Sequence, residues 1–219
     1  MRGIYFICEG GSEIEFVNGI IAPYLNKFEI YDTRAFSLTT SRGHKGGAIS
    51  YDRFREQIIR LVKSQPDILF TSFIDFYRLE NNFPGFNESA QIQDKNARTR
   101  YIEDSIKDNI PYKNFLPYIQ LHELEGLLFT DINGFELLPD ITLKAKEEIK
   151  MIIESYPNPE LINEGETTHP SARLDKLIPN YKKPLRIIAL SRNIGIEKIL
   201  EKCPRFNSWI KEIVRLVKE

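Results

Sequence analysis

Three acidic residues stand where apolar runs of this sequence stop. "GIYFIC" runs directly into Glu9, "ILFTSFI" ends on Asp75, and "IQLH" ends on Glu123, with Glu125 two residues on. Carboxylates brought together repel one another unless protons or a cation neutralise them. The cation suited to such oxygens is hard and divalent. Mg²⁺ takes one or two carboxylates, several waters and substrate phosphates. Two glycines, Gly10 and Gly11, follow Glu9 and let a phosphate come close to the backbone at a helix start. These types and spacings point to a site for a hard divalent cation such as Mg²⁺, with backbone that a phosphate can approach beside it. Glu9, Asp75 and Glu123 are the expected catalytic and metal-binding residues, and Glu125 is a further metal ligand.

Each residue also has a plainer reading. Glu9 alone is as readily a solvated residue entering a loop. Glu13 and Glu15 read as capping and helix-dipole residues before they read as ligands. Asp75 interrupts a strongly apolar stretch, and buried acids are rare without a partner, so function weighs more there. Glu123 and Glu125 share a face only if the chain is extended. Phosphate contacts are expected from Arg42 and Lys45 in the glycine-rich "RGHKGG", which equally reads as a solvated turn, and from Arg173. Lys182, Lys183 and Arg186 fit phosphate contacts or an exposed helix face. His122 is a general base or a core histidine, the core reading being favoured, and Cys8 is a small core residue.

The elements that must position these residues follow from periodicity. "RGIYFICE" and "DILFTSFIDFY" read as buried strands, "YDTRAFSLTT" as an alternating one, and "NFLPYIQLHE" as a fourth. Between them fall a helix starting near Ser12 through an S-x-x-E capping box, a helix marked by Phe54, Ile58, Leu61 and Val62, and a polar helix from Ser89 to Asn109. Pro23 is expected to kink or end the first helix. "LEGLLFTD" fits a helix start or a sheet edge. The β-α alternation over the first 125 or so residues predicts a mostly parallel sheet covered by helices on both faces. Ligands bind such sheets beyond the carboxyl ends of the strands, which is where the acids fall. After Asp131 the pattern is helical, ending in an amphipathic helix with Phe206, Trp209, Ile210, Ile213, Val214 and Val217. The expected division is an α/β domain over 1–130 and a helical region over 131–219 packed on it.

Bulk properties bound the classes. The 219 residues carry a net charge of -1, with 42% hydrophobic and 28% charged residues. Nucleic acid would therefore be held by a local patch, not by the whole surface. The two cysteines form no CxxC pair and the three histidines are scattered, against a disulfide framework or a zinc site. No apolar run approaches a membrane span. A cytoplasmic protein that does not contact a membrane is expected.

"CEGGSE", "FIDFY" and the acid after the fourth strand resemble the TOPRIM domain of primases, topoisomerases and overcoming-lysogenization-defect nucleases. More specifically, five ordered stretches resemble a bacterial TOPRIM-like family without assigned function, often encoded beside an AAA ATPase. These are Glu9 to Glu13, "DFYRLENNFPG", "IQLHELEGLLF", "HPSARL" and "CPRFNSW". The resemblance implies a TOPRIM-like fold, Glu9 as general acid/base or metal ligand, and Asp75 as the first acid of a D-x-D pair. Tyr77 stands where the second aspartate belongs, so Glu123 or Glu125 would have to substitute. It further implies a metal-dependent nuclease acting on DNA or RNA in defence with an ATPase partner, and allows a homodimer. The alternative is a catalytically weak module that docks on the ATPase and recognises nucleotide or nucleic acid. A Rossmann-type cofactor enzyme fits less well, because "EGGSE" lacks the spaced G-x-G-x-x-G.

Overall fold

The computed structural model describes residues 1–38, 49–162, 165, 167–179, 181 and 185–219. The chain opens with β1 (Gly3–Cys8), then α1 (Gly11–Phe16), a π-helical turn over Val17–Ile21 and α2 (Ala22–Leu25). β2 (Thr33–Ser37), α3 (Tyr51–Ser64), β3 (Ile68–Asp75), α4 (Lys95–Asn109), β4 (Phe115–Leu116) and β5 (Ile119–Gln120) follow. The rest is helical: a 3-10 segment Leu124–Thr130, then α5 (Asn133–Glu136), α6 (Leu143–Ser155), α7 (Pro170–Leu177), α8 (Leu185–Ile194), α9 (Ile196–Lys202) and α10 (Pro204–Lys218).

All strand pairs are parallel, in the order β2-β1-β3-β4, with β5 continuing the β4 edge beside β3. The mostly parallel sheet flanked by helices agrees with the β-α alternation of the sequence. Side chains of β1 alternate between two cores, as a strand period of two requires. Ile4, Phe6 and Cys8 join α1 and the C-terminal helices in the larger one. Tyr5 and Ile7 face α3 and α4 in the other. The helical second half thus shares its core with β1 and β3. Trp209 of α10 fixes this layer: its indole stacks on Tyr118 at 3.9 Å and donates to the Thr71 hydroxyl at 2.9 Å.

Local chemistry explains where the elements differ from expectation. The fourth strand is two short pieces, β4 and β5, because Pro117 has no N–H to give the ladder. A buried pair, Arg205 with Glu103, braces that broken edge. Glu103 accepts from the Ile119 amide at 2.7 Å, and Arg205 donates to the Ile119 carbonyl at 3.2 Å. The polar helix starts at Lys95, not Ser89, because the Asp94 side chain accepts from the Ala97 amide at 2.7 Å and caps it there. The first helix is capped from Gly10: its amide donates to the Glu13 carboxylate at 2.9 Å, so Glu13 takes the part expected of Glu15. Pro23 does not end that helix, since the π turn ahead of it spares the missing amide. The start of α10 has a carboxylate cap, Glu160, which accepts from the Arg205 and Phe206 amides at 2.9 and 3.0 Å.

Candidate active site

Parallel pairing puts the ends of β1, β3 and β5 at one sheet edge. Cys8 pairs with Phe73, and Asp75 with Gln120, so Glu9, Asp75 and the segment after Gln120 emerge together. Asp75 is 8% exposed, Glu13 7% and Glu125 3%. Glu9 keeps a side-chain exposure of 19% and pairs with Arg78, Nε to Oε1 at 3.3 Å. Its amide donates to the Phe73 carbonyl, and its carboxylate accepts from the Asp75 amide.

Electrostatics show how closely the acids are grouped. Burial pushes the Glu9 carboxyl from its ordinary 4.5 up to about 7, and the charge of Glu13 adds to that. The Arg78 guanidinium and the Asp75 amide oppose the rise, and Glu125 contributes a smaller push upward. Asp75 is driven well above 3.8, first by burial and then by the charges of Glu13, Glu9, Glu125 and Glu123. Both carboxyls thus keep their protons to higher pH than ordinary carboxylates do. Glu9 Oε2 and Asp75 Oδ1 are buried and accept no hydrogen bond, a costly state for a polar atom.

Glu123 is held differently. The backbone of His122 is left-handed, φ 64°, at the turn between β5 and Glu123. The Glu123 carboxylate then meets the start of α7. It accepts from the Ser171 amide at 2.9 Å and the Ser171 hydroxyl at 3.0 Å, and lies 3.1 Å from His169 Nδ1. Exposed Tyr77 stacks on His169 at 6.2 Å. Charges of Glu125 and Glu123 also act on the phenol of Tyr181, which burial pushes upward first.

The expected site residues therefore separate. Asp75 feels the charges of Glu9, Glu123 and Glu125, and Glu9 feels that of Glu125. "LEGLLFTD" proves 3-10 helical, so Glu123 and Glu125 are not two residues of one strand face; both still act on Asp75. The Gly10 amide serves Glu13, and Gly11 borders open space. Arg173 donates to the Thr168 carbonyl and lies over the Tyr156 ring. Arg42, His44, Lys45, Lys182 and Lys183 lie outside the described residues. Sequence reasoning set Glu13 aside as a cap, but it is also the largest charge acting on Asp75. Its spacing of four from Glu9 was the available signal. His169 and Ser171 were inside "HPSARL", yet nothing in their spacing joined them to Glu123.

The fit to a divalent cation is partial. Among the described residues no group of three or more His, Cys, Asp or Glu side chains converges to hold an ion. Mg²⁺ requires only one or two carboxylates when substrate and water complete its shell. Glu9 and Asp75 each carry one buried oxygen that accepts no hydrogen bond.

Residues 8–214 match the family model described as Domain of unknown function (DUF4276). No curated protein and no solved structure matches the chain significantly. Among the described residues no helix is long and apolar enough to cross a membrane.

Proposed function

The chain thus belongs to the DUF4276 family, and we propose that it is a divalent-metal-dependent phosphodiesterase acting on nucleic acid. The observation that carries this reading is Asp75: buried, pressed by four neighbouring carboxylates, and left with an oxygen that accepts no hydrogen bond. A fold does not keep such a charge arrangement for stability. Glu9 and Asp75 are the metal-holding pair, with Glu123 and Glu125 completing the negative wall. A bound Mg²⁺ or Mn²⁺ would supply charge neutralisation and acidify a water. Arg78 fixes Oε1 of Glu9, which leaves Oε2 as the oxygen that would face the metal. The resemblance of "CEGGSE", "FIDFY" and the acid after the fourth strand to the TOPRIM domain supports the same reading; the five ordered stretches resemble a family without assigned function. The reading extends to a defence role with an AAA ATPase partner and a possible second copy of the chain. The test is cleavage of DNA and of tRNA with Mn²⁺ by wild type and Asp75→Ala. Loss of cutting in a folded Asp75→Ala protein is expected. Equal cutting by both proteins overturns the assignment.

One observation favours a second reading, a weakly catalytic module that binds nucleotide or nucleic acid while docked on the ATPase. Glu123 already accepts two hydrogen bonds from Ser171 beside His169, and exposed Tyr77 stands where the resemblance puts the second acid. Absence of Mn²⁺ binding at millimolar concentration would establish it.

A further inference from the structure

At the same end of the sheet as the acid cluster lies a cavity of about 230 Å³ with the opposite character. It is lined by Phe76, Lys95, Arg98, Thr99, Leu121 and His122, with Ala90, Ile92 and Gln93 closing it. No acidic side chain is among them. Two lining residues are chain neighbours of the acids, Phe76 next to Asp75 and His122 next to Glu123.

The cations in this cavity are oriented by their surroundings. The Arg98 guanidinium is layered against Phe76 at 5.1 Å and Phe86 at 5.4 Å, and those two rings stack on each other. Its Nε is buried and donates to no acceptor. Such stacking pre-organises a guanidinium without using its donors. Lys95 Nζ lies 3.3 Å from His122 Nε2. An ammonium has only protons to give, so Nε2 is the acceptor and the ring proton sits on Nδ1. The first turns of the 15-residue α4 carry Lys95, Arg98 and Thr99 to the cavity wall, at the positive end of that helix.

We propose that this cavity is a phosphate-binding site, and that it holds a phosphate of the nucleic acid adjoining the one the carboxylates act on. The second half of that statement rests on the phosphodiesterase reading; the first does not. The volume lies below the roughly 300–1,000 Å³ usual for drug-sized ligands, so it takes a phosphate with part of its sugar, not a whole dinucleotide. The apolar faces of Phe76 and Leu121 suit a sugar edge. A phosphate here would meet Arg98 and Lys95 with charge-assisted hydrogen bonds, the strong kind. The cavity lies at the same end of the sheet as the acids, one chain position from Asp75 and one from Glu123. A polyanion is thereby drawn to an edge whose acids would otherwise repel it.

The experiment is calorimetric titration of adenosine 5′-monophosphate and of inorganic phosphate into the metal-free full chain at fixed ionic strength. Wild type is compared with Lys95→Met and Arg98→Met, each checked for folding. Both probes should bind, and each variant should weaken binding about tenfold or more, the usual effect of losing one charged hydrogen-bond partner. Adenosine alone should not bind. Arg98 also packs against two rings, so Lys95→Met, on the helix edge, keeps the test valid if Arg98→Met unfolds. No phosphate binding by wild type, or unchanged affinity in a folded Lys95→Met, overturns the site. Cleavage read separately with Mn²⁺ distinguishes the two ideas. Cutting without phosphate binding rejects this cavity, and binding without cutting rejects the phosphodiesterase reading.

Discussion

Glu9→Gln tests whether the acid cluster holds protons at the cost of stability. In the folded chain the Glu9 carboxyl titrates near 7, against an ordinary 4.5. Below 4.5 both folded and unfolded chains carry the proton, and Glu9 costs nothing. Between 4.5 and 7 the folded chain binds more protons than the unfolded one, so stability falls as pH rises. Above 7 the loss is complete. At about 1.4 kcal/mol per pH unit the full loss is about 3 kcal/mol. Glutamine keeps the shape and removes the titration. Arg78, half exposed, loses its partner with little penalty because water reaches it. Metal-free Glu9→Gln should therefore be more stable than wild type at pH 8 by up to about 3 kcal/mol, roughly 6–12 °C in Tm for a chain of this size. The two proteins should converge near pH 4. Urea unfolding at a series of pH values measures the difference directly; carboxylates remote from Glu9 cancel, and the effect of the Glu9 charge on Asp75 is part of the difference. Added Mn²⁺ should stabilise wild type above pH 7 more than the variant. A pH-independent difference between the two proteins would refute the claim that Glu9 stores a proton in the fold.

Other expectations follow from the packing. Trp209→Ala removes the plate stacked on Tyr118 and the bond to Thr71, and should cost about 3–5 kcal/mol in urea unfolding. Gly85→Ala sets a β-carbon 2.4 Å from the Ser105 hydroxyl at φ +79°, so a loss above about 1 kcal/mol is expected in the same assay. Ser171→Ala removes the hydroxyl donor to Glu123 and leaves the amide donor in place; a cost of about 1 kcal/mol should appear in thermal melts. Cys8 and Cys203 are buried, and burial pushes both thiols well above their ordinary value. A thiol reagent at pH 8 should label neither until denaturant is added.

Strand identity and the parallel sheet were legible in the chain itself. A run such as "GIYFIC" has no polar residue to put on a solvent face, so it can only be a strand covered on both sides. The acids at the ends of these runs followed directly, because a parallel sheet gathers the carboxyl ends of its strands at one edge. Helix periodicity likewise exposed the buried face of α10. The tertiary structure alone decided which acids count. Glu13 reads as a cap from its position, and its second role exists only because α1 follows β1, the strand paired with β3. Glu123 finds Ser171 and His169 some 48 residues away, a contact no local spacing encodes. The cationic cavity brings Phe76 of one loop to Lys95 and Arg98 of a helix and His122 of another turn. Pattern along a chain reports local backbone shape and which face is apolar. Charge pairing and pocket chemistry depend on where separate segments meet, and that is fixed only when the two cores close around the sheet.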